Sequence, residues 1–283
     1  AQQFFRTGLS SGKDHDAAGD NQTQTAEHGS DGGEFLPCII KALRRQGGIH
    51  SHTAPGLFPD GGAQGLALCA LNDISIEAKV NEMAEQGIPC NTFNSDLPES
   101  RRLCFVGQDY AKSGRIAAEL LSKCIPQDSR VLAMVGNMEY NGHRTRLDGF
   151  CERMRECGFE TGQIEIVETY NDYRRTYNKV SEALQRMSGL RAIYMANRSV
   201  TGCVDAVKAA GMAGKIRVIA HDMSPRRKTM LREGSLDLTI TQDLYRQGYQ
   251  PLQLLCDLLQ KQEQPATDQQ SASISIICAE NMD

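Results

Sequence analysis

The chain has 283 residues, 40% of them hydrophobic and 23% charged, with a net charge of −4. That length suits two ordinary domains or one large one, and the apolar share excludes wholesale disorder. No clustered basic face points to nucleic acid, and no apolar run approaches the ~18 residues that a membrane span needs.

Residues 1–62 differ in composition from the rest of the chain. They contain no Val, Met or Tyr, but hold 11 of the 26 glycines and 4 of the 6 histidines. Two readings stay open: a flexible, tag-like tail, or a segment translated in the wrong frame whose length matches two missing βα units. Within it, "FLPCIIKALRRQ" (35–46) has the apolar spacing of an amphipathic helix. "GLSSG" (8–12) fits G-x-S-x-G, but a nucleophile elbow needs a strand before it and a helix after it, and neither pattern is there.

From residue 64 onward, short apolar runs alternate with helical patterns. The runs predict strands over 66–71, 88–93, 103–106, 130–135, 164–168, 191–195, 216–220, 236–241 and 274–277. Most are continuously apolar, as parallel strands covered on both faces are. Between them, "GRIAAELLSKC" aligns Ile116, Leu120 and Cys124 on one helical face, and "TRLDGFCERMRECG" aligns Leu147, Phe150, Cys151 and Met154. Residues 245, 249, 252, 256 and 259 form a further stripe, which Pro251 either kinks or starts afresh. Alternating strand and helix implies βαβ units, and nine strands imply two parallel sheets rather than one.

Ligands of open parallel sheets bind outside the carboxyl ends of the strands. Six strand ends here carry Asn, Gln, Asp or Glu: Asn94-Ser95-Asp96, Gln108-Asp109, Asn137 with Glu139, Asn197, His221-Asp222 and Gln242-Asp243. Amides and carboxylates in a cleft hold neutral hydroxyls in fixed directions, so this set with one arginine fits a polyhydroxylated ligand such as a sugar. Each residue taken singly has a plainer role as cap of the next helix. His143 with Arg144 and Arg146 at a helix start adds the option of an anionic ligand, a sugar phosphate or acid sugar. His221 reads as a satisfied rim histidine rather than a metal ligand, and "SPRRKTMLREG" (224–234) as a solvated basic helix. No metal, no cofactor and no catalytic residue is expected: no glycine-rich phosphate loop appears, and no base is paired with a nucleophile.

"GIPCNTFNSDLPESRRLCFVGQDYAKSGRIAAELL", "GHRTRLDGF", "IYMANRSVTG", "VIAHDMSP" and "LTITQDLYRQGYQ" together resemble, in order and spacing, the effector-binding core of LacI/GalR-type transcription regulators. That core is shared with type I periplasmic sugar-binding proteins. The resemblance spans about residues 62–283. It implies two Rossmann-like lobes with parallel sheets joined by a three-stranded hinge, the type I periplasmic-binding-protein fold. The crossings are expected near 121–126, 242–244 and 265–270, giving lobe one as 1–123 plus 243–266 and lobe two as 124–242 plus 267–283. By carry-over, Arg146 forks onto ligand oxygens, Asn197 is the amide at a strand end, Asp222 holds sugar hydroxyls and Gln242 is the hinge glutamine. Asn94 and Ser95 stand where some relatives have Asp-Arg, Asp109 matches an acidic rim position, and Asn137 and Glu139 match less closely.

The departures are specific. The family's first strand and its following loop are not found, there is no Trp, and Phe93, Tyr140 and Tyr170 are the candidates for an aromatic platform. No helix-turn-helix headpiece is visible, so DNA would be reached only through a part not present here. The implied function is a homodimeric, sugar-responsive sensor domain of such a regulator. A cytoplasmic location is expected because "AQQFFRTGLS" has no leader pattern and the ten cysteines never form Cys-x-x-Cys. The alternative is a periplasmic sugar-binding protein of an ABC transporter, with the same pocket.

Overall fold

The computed structural model describes residues 39–44, 49–53, 63–69 and 72–282. The two readings of residues 1–62 and the 8–12 motif otherwise lie outside the described residues. In chain order the first elements are β1 (Ile39–Arg44), β2 (Ile49–Thr53), β3 (Ala63–Cys69), α1 (Ile74–Glu85), β4 (Cys90–Phe93), β5 (Cys104–Gly107), α2 (Tyr110–Cys124), β6 (Arg130–Val135) and α3 (Asn141–Glu156). There follow β7 (Ile164–Glu168), α4 (Tyr173–Arg186), β8 (Leu190–Ala196), α5 (Val200–Ala209), β9 (Arg217–His221), α6 (Pro225–Arg232), β10 (Leu238–Gln242), α7 (Leu244–Lys261), β11 (Gln269–Ser271) and β12 (Ile274–Ile277).

Two six-stranded sheets result, ordered β11-β5-β4-β3-β1-β2 and β12-β10-β9-β8-β6-β7. The central pairs of both are parallel. The period-2 alternation of the second sheet splits its residues between two cores. Leu132, Met134, Ile193, Met195, Val218 and Ala220 face one way, onto α4, α5 and α6. Val131, Ala133, Val135, Ala192, Tyr194 and Ile219 face the other, onto α2 and α3. In the first sheet, Leu66 and Leu68 pack on α1 through Ile76, Val80 and Met83, and Ala67 packs on α7 through Leu252 and Leu255.

Among the described residues, five of the seven α-helices start at a side-chain cap. Asp73, Asp109, Asp172, Ser224 and Asp243 accept from a backbone N–H of the first turn of α1, α2, α4, α6 and α7, which satisfies donors that have no partner within the helix. α7 runs through Pro251 without interruption, and the Pro251 carbonyl accepts from the Asn91 amide at 2.7 Å.

Three expectations are corrected. The helix predicted over 35–46 is replaced by β1, which pairs antiparallel with β2 and β3. The ladder along β3 satisfies the backbone of the Ile39-Ile40 segment, and β-branched residues suit it better than a helix. This also makes that flank of the sheet antiparallel. Next, α2 packs into the second lobe's core through Ala117, Ala118, Leu121 and Ile125, so the first crossing falls at 107–109, not at 121–126. Finally, β11 pairs with β5 of the first sheet, so the last crossing lies at 271–274, after the predicted 265–270. The other crossing lies at 242–244.

The α2–α3 contact is made by two glycines. A methyl group on Gly114 would overlap the backbone carbonyl oxygen of Arg146, and one on Gly149 would overlap that of Ala111. The two backbones therefore touch directly, and the start of α3 is set by the start of α2.

Candidate functional site

The crossings bring the carboxyl ends of the two sheets together. β9 ends at His221 and the next residue, Asp222, adopts a left-handed conformation (φ 64°). β4 ends at Phe93 and is followed in the same way by Asn94 (φ 59°). Asp and Asn tolerate this region better than other non-glycine residues, because their short side chains bond locally. The Asp222 turn is held by its own N–H on the Ile240 carbonyl (2.9 Å) and by the Thr239 hydroxyl on its carbonyl (2.7 Å).

From there a circuit of contacts runs between the carboxyl ends of the two sheets. Gln242 Nε2 donates to Asp222 Oδ1 at 2.9 Å, Gln247 Nε2 to Gln242 Oε1 at 2.9 Å, and Asn94 Nδ2 to Gln247 Oε1 at 3.3 Å. The Asn94 carbonyl accepts from the Tyr110 hydroxyl, and the Arg146 guanidinium lies 4.8 Å from the Tyr110 ring centre. Arg146 Nη2 donates to Gln108 Oε1 at 3.2 Å and its Nε to Ser113 Oγ at 3.3 Å. Gln108 Nε2 donates to the carbonyl of Thr241, beside Gln242, at 3.2 Å. Four of the expected residues, Asn94, Arg146, Asp222 and Gln242, thus share one polar circuit linking both lobes through the crossings.

The circuit has a direction. A carboxylate only accepts, so Asp222 makes Gln242 present its NH2 group to it and its oxygen to Gln247. Gln247 then presents its oxygen to Asn94, which must donate. Asp at position 94 would set two acceptors against each other, which accounts for the amide there.

The other expected residues are placed differently. Asn197 is buried, but its Nδ2 donates to Thr169 Oγ1 at 2.8 Å and its Oδ1 accepts from the N–H and hydroxyl of Ser199, all within the second lobe. Asp109 caps α2 by accepting from the N–H of Lys112 at 2.8 Å. Asn137 and the exposed Glu139 bond each other at 2.9 Å. Ser95 is buried and its hydroxyl has no partner among the described residues. Of the aromatic candidates, Phe93 packs into the first lobe's core, Tyr140 lies against His143, and Tyr170 is exposed under Arg175. Sequence reasoning marks Gln108 only as part of a polar strand end, and misses Tyr110, Gln247 and the buried Arg227. Gln108 lies at a crossing and Tyr110 starts α2, next to the expected Asp109. Gln247 stands one turn beyond the cap of α7.

His221 is a buried residue, 2% exposed, rather than a rim one. Its Nε2 pairs with the Tyr194 hydroxyl at 2.7 Å, and Tyr194 stacks on Phe150 with centroids 4.2 Å apart. Burial, reinforced by Arg146, Arg227 and His143, pushes the His221 imidazole well below its ordinary range, so it is neutral. Burial also lowers His143, with Arg146 adding to the effect. Burial raises the Tyr110 phenol, against the pull of Arg146. Helix α6 is only partly solvated: Arg227, Met230 and Leu231 are buried. Among the described residues no group of three or more His, Cys, Asp or Glu side chains could hold a metal ion, and no helix is long and apolar enough to cross a membrane.

Residues 59–263 match the family model described as a periplasmic binding protein domain. The chain is 28% identical over 173 residues to a D-ribose/D-allose-binding protein of Pseudomonas aeruginosa, covering 60% of this chain and 53% of that protein. It is 23% identical over 206 residues to a D-allose-binding periplasmic protein of Escherichia coli, covering 69% of this chain and 65% of that one. The chain therefore spans between half and two thirds of the length of these relatives. Among solved structures, a sugar-binding protein of a sugar ABC transporter from Bacillus halodurans superposes with a TM-score of 0.64 at 23% identity, over 74% of this chain and 75% of that one.

These relatives overturn the reading as a cytoplasmic LacI-type regulator domain, because they are sugar-binding proteins of the periplasm and of ABC transport. The cleft motifs belong to a core that both groups share, so they cannot separate the two. The cysteine argument fails for a physical reason. Cys104 and Cys203 are core-packing residues, so thiols placed singly in apolar segments do not by themselves mark a compartment. By its matched domain and its two-lobed architecture, the chain belongs to the periplasmic binding protein domain family.

Proposed function

We propose that the protein is the extracytoplasmic solute-binding component of an ABC-type importer, holding a sugar between its two lobes. The observation that carries this reading is the polar circuit through Asp222, Gln242, Gln247, Asn94, Arg146 and Gln108, which joins the facing ends of both sheets. A hydroxyl-rich guest entering there meets donors and acceptors from both lobes, and a ligand that bridges them favours the closed arrangement only as far as it binds that arrangement better. The arginine and aspartate supply charge-assisted hydrogen bonds, and the amides set direction.

Asp222 Oδ1 is engaged by Gln242, and the buried His221 is engaged by Tyr194. The homodimer and the DNA headpiece belonged to the regulator reading and lose their basis with it.

The test is a thermal-shift and calorimetry panel of aldopentoses, aldohexoses and their acids on the purified chain. A ligand at a hundredfold excess over its Kd adds about 2.7 kcal/mol of stability, which is a shift of several degrees. No shift with any of them would sink the reading.

A further inference from the structure

Tyr110 belongs to one lobe and holds on to the other. It opens α2 directly after the first crossing, and α2 is packed into the core of the second lobe. The backbone contacts of Gly114 with Arg146 and of Gly149 with Ala111 fix the start of α2 against α3. The Tyr110 ring is held from the same side. The Arg146 guanidinium lies 4.8 Å from its centre, and a Cβ on Gly142 of α3 would come within 3.0 Å of its edge, so glycine there leaves the ring its place. The hydroxyl points the other way and donates to the Asn94 carbonyl, at the end of β4 in the first lobe.

The acceptor is fixed as firmly as the donor. Asn94 stands in the left-handed region, its N–H donates to the Val106 carbonyl at 3.2 Å, and its Nδ2 donates to Gln247 at 3.3 Å. Its Oδ1 accepts from the thiol of Cys69, at the end of β3, at 3.9 Å. Elsewhere in the circuit the lobes are joined through Gln108 and Gln242, which lie at the crossings. Residues of a hinge absorb the rotation in their own dihedrals, so their bonds can persist as the lobes part. The Tyr110–Asn94 bond runs from the body of one lobe to the body of the other, so the same rotation has to stretch it.

Resting on the proposed sugar-binding function, we infer that Tyr110 is a positioning residue for ligand capture, a latch whose hydroxyl holds the lobes together both before and after a sugar enters. The latch is made in the closed arrangement and lost in the open one, so it favours closure without touching the ligand. Removing it lowers the ratio of closed to open chain by the worth of one neutral hydrogen bond, about three- to tenfold. A bound sugar escapes from the open chain, so its dissociation speeds up by that factor whichever sugar it is. A residue in contact with the ligand would instead change each sugar's rate by its own factor.

The experiment uses Tyr110→Phe, which removes the hydroxyl and keeps the ring beside Arg146. In the ligand-free full chain, opening is read from iodoacetamide alkylation of the half-buried Cys69, followed by peptide mass spectrometry. Cys69 is expected to react about three- to tenfold faster in the variant, while the exposed Cys124 and the buried Cys203 react as in the wild type. Stopped-flow dissociation of two probe sugars, D-ribose and D-allose, is expected to quicken about three- to tenfold, by one shared factor. An unchanged Cys69 rate would overturn the latch and leave the sugar-binding reading standing. Factors for the two sugars that differ more than about threefold would also overturn it, making Tyr110 a ligand contact. If one of these sugars or neither binds, the Cys69 rates alone decide. If Cys203 also reacts faster, or the variant fails to fold, Gly142→Ala carries the same measurements: it crowds the ring and keeps the hydroxyl, and Cys69 should again react faster.

Discussion

The neighbouring strands β8 and β9 end in the same way on paper and differently in space. Each runs as buried apolar backbone to the carboxyl edge of the second sheet, and each is followed there by a polar residue. Asn197, after β8, turns into its own lobe and spends its acceptor capacity on Ser199 and one donor on Thr169. Asp222, after β9, takes the left-handed conformation and reaches Gln242 at the crossing between lobes. Neighbouring positions in one sheet therefore do different work: the first braces a loop, the second bonds a residue at the crossing between lobes. Residue type alone does not decide this. The backbone turn after the strand, and whether a local donor or acceptor intercepts the side chain, does.

The contrast can be broken most sharply with a pair of variants. Asp222→Ala is expected to weaken binding of whichever carbohydrate the wild type takes by about 100-fold, the loss of a central charged contact, with less effect on folding. Asn197→Ala is expected to do the reverse, costing about 1–3 kcal/mol of stability by orphaning the Thr169 and Ser199 groups, with Kd changed only a few fold. Calorimetry and urea melts on both variants decide it, and a swapped pattern would refute the comparison.

Acid sharpens it next. His221 immediately precedes Asp222 and is neutral in the native state, while an unfolded chain would protonate it below its ordinary 6.5. The unfolded state binds the extra proton, so stability is level above that pH and falls as pH drops below it. The slope approaches about 1.4 kcal/mol per pH unit until the folded imidazole itself titrates. His143 contributes in the same direction. A pH series of urea midpoints from 7.5 to about 5 reads this, with His221→Phe expected to flatten it.

Arg146→Lys keeps the charge but loses the fork over Tyr110 and Gln108, and should weaken binding by about 10- to 30-fold at nearly unchanged stability. The smallest expected effect is Asn94→Asp. It sets an acceptor against Gln247 Oε1 and should cost about 1 kcal/mol in the closed, ligand-free chain, seen as a lowered urea midpoint.

Much of the second sheet is legible in the sequence. The runs over 130–135, 164–168 and 274–277 coincide with β6, β7 and β12 to the residue, because clusters of Ile, Val and Leu bounded by polar residues mark where each strand starts and stops. Strand β11 is not legible. Gln269–Ser271 carries no apolar signal and exists through its pairing with β5, far away in sequence. The apolar face of α2 announces a helix without saying which sheet it covers, so the expected first crossing lies a whole helix away from the observed one. At the cleft, strand-end position draws attention to Asn94, Asp222 and Gln242. It draws the same attention to Asp109, Asn137 and Glu139, which local hydrogen bonds take up. Gln247 escapes notice because a helix interior gives no strand-end cue; only the folded chain shows that it and Gln108 belong to the same polar circuit.

The backbone contact through Gly114 and Gly149 has a consequence for how the chain can be rearranged. It fastens α2 to the second lobe, so residues 109–242 form one uninterrupted stretch, and the sole strand among the described residues that returns to it from elsewhere is β12, an edge strand paired antiparallel with β10. Such a stretch behaves as a cassette. Exchange of that stretch between relatives would therefore have to carry the 274–282 segment with it, because β12 and Met282 complete the same lobe.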